Sequence, residues 1–185
     1  MAIDRAIILA AGASQRLGQT KALVELGGST LVEMVAGRLD SAGLEVTIVT
    51  RVELVESIRA LLPEAHLVVN HEPEAGRTGS IQCGLASIGG GPVLIAPVDR
   101  PGFSLATVKA LCEFETTSCP TLDGRGGHPI ALSAADCERI REAGPDTPLR
   151  DLIEPNRIEV ADPHLHLNID TPDDIEALRR VASNL

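Results

Sequence analysis

Residues 6–21 read AIILAAGASQRLGQTK, an unbroken apolar run that opens into a glycine-bearing loop and then two cations. Six small or aliphatic residues without polar alternation are what a strand buried on both faces of a parallel sheet requires. Leu9, Ala10 and Ala11 carry that strand to Gly12. Gly12 and Gly18 permit positive φ and close backbone approach, while Ala13, Ser14, Gln15 and Thr20 keep the loop small and rich in N–H donors. Such a loop can wrap an anion. Arg16 then offers a planar fork of donors and Lys21 a compact point charge, a pair suited to a polyphosphate. On these residues alone a plain turn with two solvated charges stays open, since GxxxxGK[ST] is absent and Gly12, Ser14 and Arg16 do not spell GxGxxG.

The next elements alternate. Thr30 stands as a helix N-cap with Glu33 three residues on, ahead of an apolar stripe that Gly43 closes. Residues 46–50 (VTIVT) form a β-branched strand, 53–62 a second helix ended by Pro63, and 66–70 (HLVVN) a third strand. Helices between apolar strands mean parallel pairing with right-handed crossovers. The fold class expected is α/β, a Rossmann-like, doubly wound, mostly parallel sheet with helices on both faces. With 185 residues, 44% of them apolar, the chain suits one domain. Its expected parts are a nucleotide-binding half over 1–115, an acceptor-side half over 116–167, and a closing turn and helix over 168–185.

A net charge of −10 argues against nucleic acid, whose affinity comes from cations spread over a surface, so phosphate handling here has to be local. Two Phe and no Trp or Tyr leave base recognition to backbone and small side chains. No apolar run approaches the length of a membrane span, and no leader pattern opens the chain, so a soluble cytoplasmic protein is expected. Cys83, Cys112, Cys119 and Cys137 contain no CxxC pair and read as reduced thiols.

Three later stretches carry chemistry. Residues 70–85 (NHEPEAGRTGSIQCGL) place Asn70, Gly76, Arg77, Gly79 and Ser80 at the entry of a helix, where free amides attract anions; a simple loop with a cap fits equally. Residues 92–99 (PVLIAPVD) form the most apolar strand and end in Asp99, delivered to the rim that carries the Gly12 loop. Asp99 can serve there as a metal ligand or merely start the turn DRPG. Ser104 caps a helix over 105–114. Beyond it the βαβ rhythm lapses: 120–129 reads as irregular, 130–132 as a short strand, 134–143 and 148–153 as helices. His164 and His166 would share one face of a strand over 160–166, as structural residues. Residues 167–174 (LNIDTPDD) bring an apolar approach to Asp170, with Thr171 capping the last helix, and Asp173 and Asp174 complementing its dipole.

The pattern LAAGxSxRLGxxK over 9–21 resembles the signature of MobA-like nucleotidyltransferases, and PVDRPG around Asp99, GHP at 127–129 and NIDTPDD at the end resemble further motifs of that family. Ala10-Ala11-Gly12, where the guanylyl branch shows LAGG, is closer to the MocA-like molybdenum cofactor cytidylyltransferases. Asn70, Gly79, Ser80, Gly84 and Leu85 match another family outline, although Glu74 lies near the place of a common tryptophan. Of GDxGAR only Asp146 and Arg150 stand, and Arg100 replaces a common Met or His.

The resemblance implies a nucleotide-diphospho-sugar transferase-like fold and transfer of a nucleoside monophosphate from CTP to a phosphorylated acceptor such as molybdopterin. It implies Mg²⁺ on Asp99 and Asp170, and catalysis by Arg16, Lys21 and Asp99. Nucleotide contacts would fall on Leu9, Ala10, Ala11, Gly12, Ala13, Ser14, Lys21, Asn70, Gly79 and Ser80, and acceptor contacts on His128 and Arg100. GTP, a sugar or alditol phosphate acceptor, and a non-catalytic module in molybdoenzyme maturation remain the alternatives.

Overall fold

The computed structural model describes residues 3–13 and 17–181. In chain order these form β1 (Arg5–Leu9), a hairpin of β2 (Glu25–Leu26) and β3 (Ser29–Thr30), α1 (Leu31–Ser41), β4 (Glu45–Thr50), α2 (Val55–Leu61), β5 (His66–Val69), α3 (Arg77–Ile88), β6 (Val93–Pro97) and α4 (Leu105–Cys112). There follow β7 (Ser118–Leu122), β8 (Arg125–Gly126), β9 (Ile130–Leu132), α5 (Ala134–Glu142), β10 (Asn156–Glu159) and α6 (Pro172–Val181).

One mixed sheet of order β10-β7-β9-β6-β1-β4-β5, with β8 paired to β7, runs through both halves of the chain. β1 pairs in parallel with β4 and β6, and β4 with β5, as the alternation of strands and helices required. Alternate side chains divide the core. Ala6, Ile8, Ile48, Leu94 and Ala96 pack with α1, α4 and α6 on one face. Ile7, Val49 and Ile95 pack with α3 and α5 on the other. The chain thus winds first one way from β1 and then the other, and the reversal lies between β1 and β6. At that point the loops leaving two adjacent strands diverge and open a crevice.

Local chemistry sets several boundaries. Thr30 and Glu33 close a capping box at the start of α1, as their spacing implied. Gly27 and Gly28, both at positive φ, make the two-residue turn between β2 and β3. Ser104 caps α4 through the Thr107 amide.

The second half departs from its expected form. Residues 118–126 are a β-hairpin that turns at Asp123-Gly124, both at positive φ, although Cys119-Pro120-Thr121 has no apolar alternation; parallel pairing with β10 and antiparallel pairing with β9 hold that strand extended. β9 lies between β6 and β7, antiparallel to both, so Ala131 faces Leu94 and Ser118. Residues 148–153 make only a 3₁₀ turn, Leu149–Asp151. Residues 160–166 are not a strand: Leu165 N–H donates to Asp162 O and Leu167 N–H to His164 O, which coils the segment. Asp170 accordingly arrives on irregular backbone just before α6, not at a strand end. Among the described residues, no helix is long and apolar enough to cross a membrane.

Candidate active site

The crevice at the reversal point is a cleft of about 410 Å³. Leu9, Ala10, Ala11, Gly12 and Ala13 form one wall. Ala10 continues the strand pairing by donating to Val49 O, and Leu9 O accepts the Val98 amide, so the wall is fixed to both neighbouring strands. Thr20, Lys21 and Ala22 enter on the 3₁₀ turn Lys21–Leu23. Pro73, Glu74, Gly76, Arg77 and Ser80 stand opposite, and Pro97, Val98, Asp99 and Asp170 close the floor. Ser14 and Arg16 lie outside the described residues.

Two carboxylates that are far apart in sequence converge on one ammonium. Lys21 Nζ is 3.0 Å from Asp99 Oδ2 and 2.6 Å from Asp170 Oδ1, with the three side chains 16%, 21% and 32% exposed. Burial pulls the Lys21 pKa down, but hydrogen bonds and charge from Asp170 and Asp99 outweigh it and raise the pKa above 10.5. Both oxygens bind the same nitrogen, so they lie within about 6 Å of each other, a spacing that hard-cation ligands can share. Among the described residues no group of three or more His, Cys, Asp and Glu is placed to hold a metal. Asp174 fixes the Asp170 backbone: its Oδ2 accepts from the amides of Asp170 and Thr171 at 2.9 and 2.7 Å, which holds its own carboxyl below the usual range.

Four expected contacts stand back from the cleft surface. Asn70 is buried and donates from Nδ2 to Ser80 Oγ at 3.0 Å, while its Oδ1 accepts the Glu72 amide; it orients Ser80 and the loop. Gly79 commits its amide to Pro145 O, and a Cβ there would meet the Pro145 side chain at 3.2 Å, so it serves helix packing. Gly84 likewise packs on Ile7 and Val49. His128 and Arg100 do not line the cleft. The His128 imidazole is mostly buried with Nδ1 unpartnered, and its pKa falls to about 4 through burial and then the charges of Arg77 and Arg100, against which Asp99 pulls it up. Arg77, the first residue of α3, lines the cleft as its place at a helix entry beside Gly76 suggested, although it was not among the expected nucleotide or acceptor contacts. Pro97 and Val98 gave none, because floor residues look like any strand end.

A doubly wound sheet whose reversal point carries a glycine loop, a lysine and two carboxylates defines an α/β protein of the nucleotide-diphospho-sugar transferase-like kind. The chain belongs to the MobA-like NTP transferase domain family, whose model matches residues 6–182. It is 32% identical over 142 residues to a nicotine blue oxidoreductase of Paenarthrobacter nicotinovorans, covering 69% of this chain and 70% of that one. A 2-C-methyl-D-erythritol 4-phosphate cytidylyltransferase of Rhodococcus opacus is 46% identical over 85 residues, 44% of this chain and 37% of that enzyme. A probable molybdenum cofactor guanylyltransferase of Bacillus mycoides is 28% identical over 141 residues, 74% and 69% of the two chains. Among solved structures, a nucleotidyl transferase of Methanothermobacter shares the fold with a TM-score of 0.82 at 24% identity, over 99% and 98% of the two chains.

Proposed function

We propose that this nucleotidyltransferase moves a cytidylyl group from CTP to a phosphorylated acceptor of the molybdopterin kind and releases pyrophosphate. The observation that carries the reading is the convergence of Asp99 and Asp170 on Lys21 at the mouth of the Gly12 loop. A cation already sits between the two carboxylates, and their hard oxygen donors fit Mg²⁺, which is commonly held by one or two carboxylates with the phosphates supplying further ligands. Bound there, Mg²⁺ would supply charge neutralisation on the phosphates. The chain's own groups do the rest. The amides of residues 11–13 face the triphosphate, Arg16 and Lys21 neutralise charge on the α-phosphate and on departing pyrophosphate, and Asn70 holds Ser80 toward the nucleotide. Arg100 and His128 meet the acceptor. A phosphate monoester has a second pKa of about 6, so its attacking oxygen is ionised near neutrality and no general base is required.

CTP is supported by the Ala11 methyl on the cleft wall and by the cytidylyltransferase likeness, and GTP by the longer guanylyltransferase match. A cytoplasmic setting is consistent with four free cysteines. The test is pyrophosphate release across the four NTPs with Mg²⁺, using molybdopterin and 2-C-methyl-D-erythritol 4-phosphate as separate acceptors. Fastest release with CTP and molybdopterin is expected; faster turnover with GTP overturns the nucleotide assignment.

A second reading, oxidoreduction, is favoured by the nicotine blue oxidoreductase likeness over 69% of the chain, since one fold can host unrelated chemistries. Oxidation of NADH or NADPH with nicotine blue, with no pyrophosphate from any NTP, would establish it instead.

A further inference from the structure

The two carboxylates sit on separate loops, yet those loops are fastened together at three levels. Residues 99–104 and 162–169 run side by side in opposite directions. At the far end Asp162 Oδ2 accepts from the Ser104 amide at 2.8 Å and from Thr107 Oγ1 at 2.7 Å. In the middle, Gly102 lies so close to His164 that a Cβ would come within 1.8 Å of the His164 carbonyl oxygen. At the near end the Ile169 amide donates to Asp99 O at 3.0 Å, one residue before Asp170.

Asp162 is only 8% exposed, and a buried carboxylate persists where hydrogen bonds and an opposite charge compensate its desolvation. That charge comes from Arg38 on α1. Burial lowers the Arg38 pKa and the Asp162 charge raises it, so the carboxylate favours the charged guanidinium. Arg38 also donates to Pro101 O and lies over the Phe103 ring, 5.3 Å from its centroid. Planar stacking and a directed fork are properties of guanidinium that an ammonium lacks.

We propose that Arg38 and Asp162 are positioning residues that set the separation of Asp99 from Asp170 and thereby the affinity of the site for its divalent cation. The functional consequence rests on the two-carboxylate reading given above; the fastening of the loops does not. Arg38 holds residues 101–103 from the helix side and Asp162 ties their far end to the segment that leads to Asp170. Loosening either weakens the Ile169 contact, which leaves the separation of the two carboxylates to the flexible Lys21 side chain alone. Partners behind a metal ligand typically change metal affinity by about 10–100-fold when removed.

The experiment compares wild type with Arg38→Met, Asp162→Asn and the milder Thr107→Val, and uses Arg38→Lys as the conservative variant. Amide exchange at Ile169 is followed by NMR, and Mn²⁺ binding in the presence of CTP by electron paramagnetic resonance. Expected results are Ile169 exchange accelerated by about tenfold or more relative to the β1 amides, and a Mn²⁺ Kd raised by about tenfold, with partial recovery in Arg38→Lys. Lower melting temperatures with unchanged Ile169 exchange and unchanged Mn²⁺ Kd would overturn the proposal. Failure of the wild type to hold Mn²⁺ with CTP would remove the cation from the site while the exchange rates still decide whether Arg38 and Asp162 couple the loops.

Discussion

Lys21 and Asp170, 149 positions apart, are joined by a hydrogen-bonded ion pair of 2.6 Å, and Asp99 meets the same ammonium from 3.0 Å. Two carboxylates at this distance would repel each other without a compensating charge, and the protein supplies that charge itself. Lys21→Met therefore should do two things. Turnover should fall by about 100-fold or more, the usual effect of removing a preorganised donor from a transition state, as read by pyrophosphate release at saturating substrates. Mn²⁺ should bind the metal site without nucleotide more tightly, because the ammonium no longer competes. Unchanged turnover would remove Lys21 from the chemistry. A parallel loss is expected for Arg16→Ala.

The same contact gives an alkaline signature. The folded pKa of Lys21 lies above its unfolded value of 10.5, so its stabilising contribution is complete below that pH and disappears as pH rises through the folded pKa. Urea titrations of wild type and Lys21→Met should converge as pH climbs above 10.5; parallel curves would mean that the ion pair contributes nothing to stability.

Asp99→Asn and Asp170→Asn should abolish the thermal stabilisation that Mg²⁺ and CTP give the wild type, about 2.7 kcal/mol at a hundredfold excess over Kd. Two facing carboxylates with no cation between them would make a strained metal-free site that either change would relieve. With Lys21 between the acids, each change removes an attraction, and a slightly less stable free protein is expected. Retention of the full Mg²⁺ and CTP increment in either variant would rule out a shared cation.

What the sequence could show follows from range. The strand of residues 6–11, the Thr30 and Glu33 cap and the parallel order of β1, β4, β5 and β6 are local or nearest-neighbour matters, written in hydrophobic period and cap chemistry. β10 reads Asn-Arg-Ile-Glu, a polar edge strand whose only reason to be extended is its register against Ser118–Leu122, and no local pattern announces that. The site was legible as three motifs that point to one rim. The meeting of Asp99 with Asp170 was expected, but the Lys21 bridge between them and the Ile169 contact to Asp99 were not, because both depend on a coiled approach through 160–166 that the apolar spacing presented as a strand. Gly84 shows the converse: a residue in a family outline that suggested nucleotide contact lies instead where α3 touches the sheet.

Gly84→Ala tests that last point. The added Cβ would fall 2.8 Å from two Ile7 carbons and 3.1 Å from a Val49 methyl. Overpacking of this kind costs about 1–3 kcal/mol, and the gain in helix propensity offsets about 1 kcal/mol of it. A lower melting temperature with unchanged CTP affinity is expected. Weaker CTP binding without loss of stability would return Gly84 to the nucleotide site.

His128 offers the sharpest test of the acceptor side. Its imidazole titrates near 4 in the fold, against 6.5 for an exposed ring, because burial and then Arg77 and Arg100 disfavour the proton. A folded pKa below the unfolded one means that the unfolded chain binds the proton first. Stability is thus complete above pH 6.5 and declines as pH falls toward 4, by up to about 3 kcal/mol. Urea unfolding at pH 7.5, 6, 5 and 4.5 should show this decline in wild type and a shallower one in His128→Gln. The same ring reports on ligand. A phosphate monoester placed between Arg77 and Arg100 would cancel the charges that exclude the proton and add a negative one, so the His128 pKa should rise on adding the acceptor. The chain has five histidines, few enough to follow individually by NMR. A His128 titration that ignores the acceptor, while pyrophosphate release shows that acceptor being consumed, would place the acceptor's phosphate elsewhere and leave His128 and Arg100 with a purely structural role.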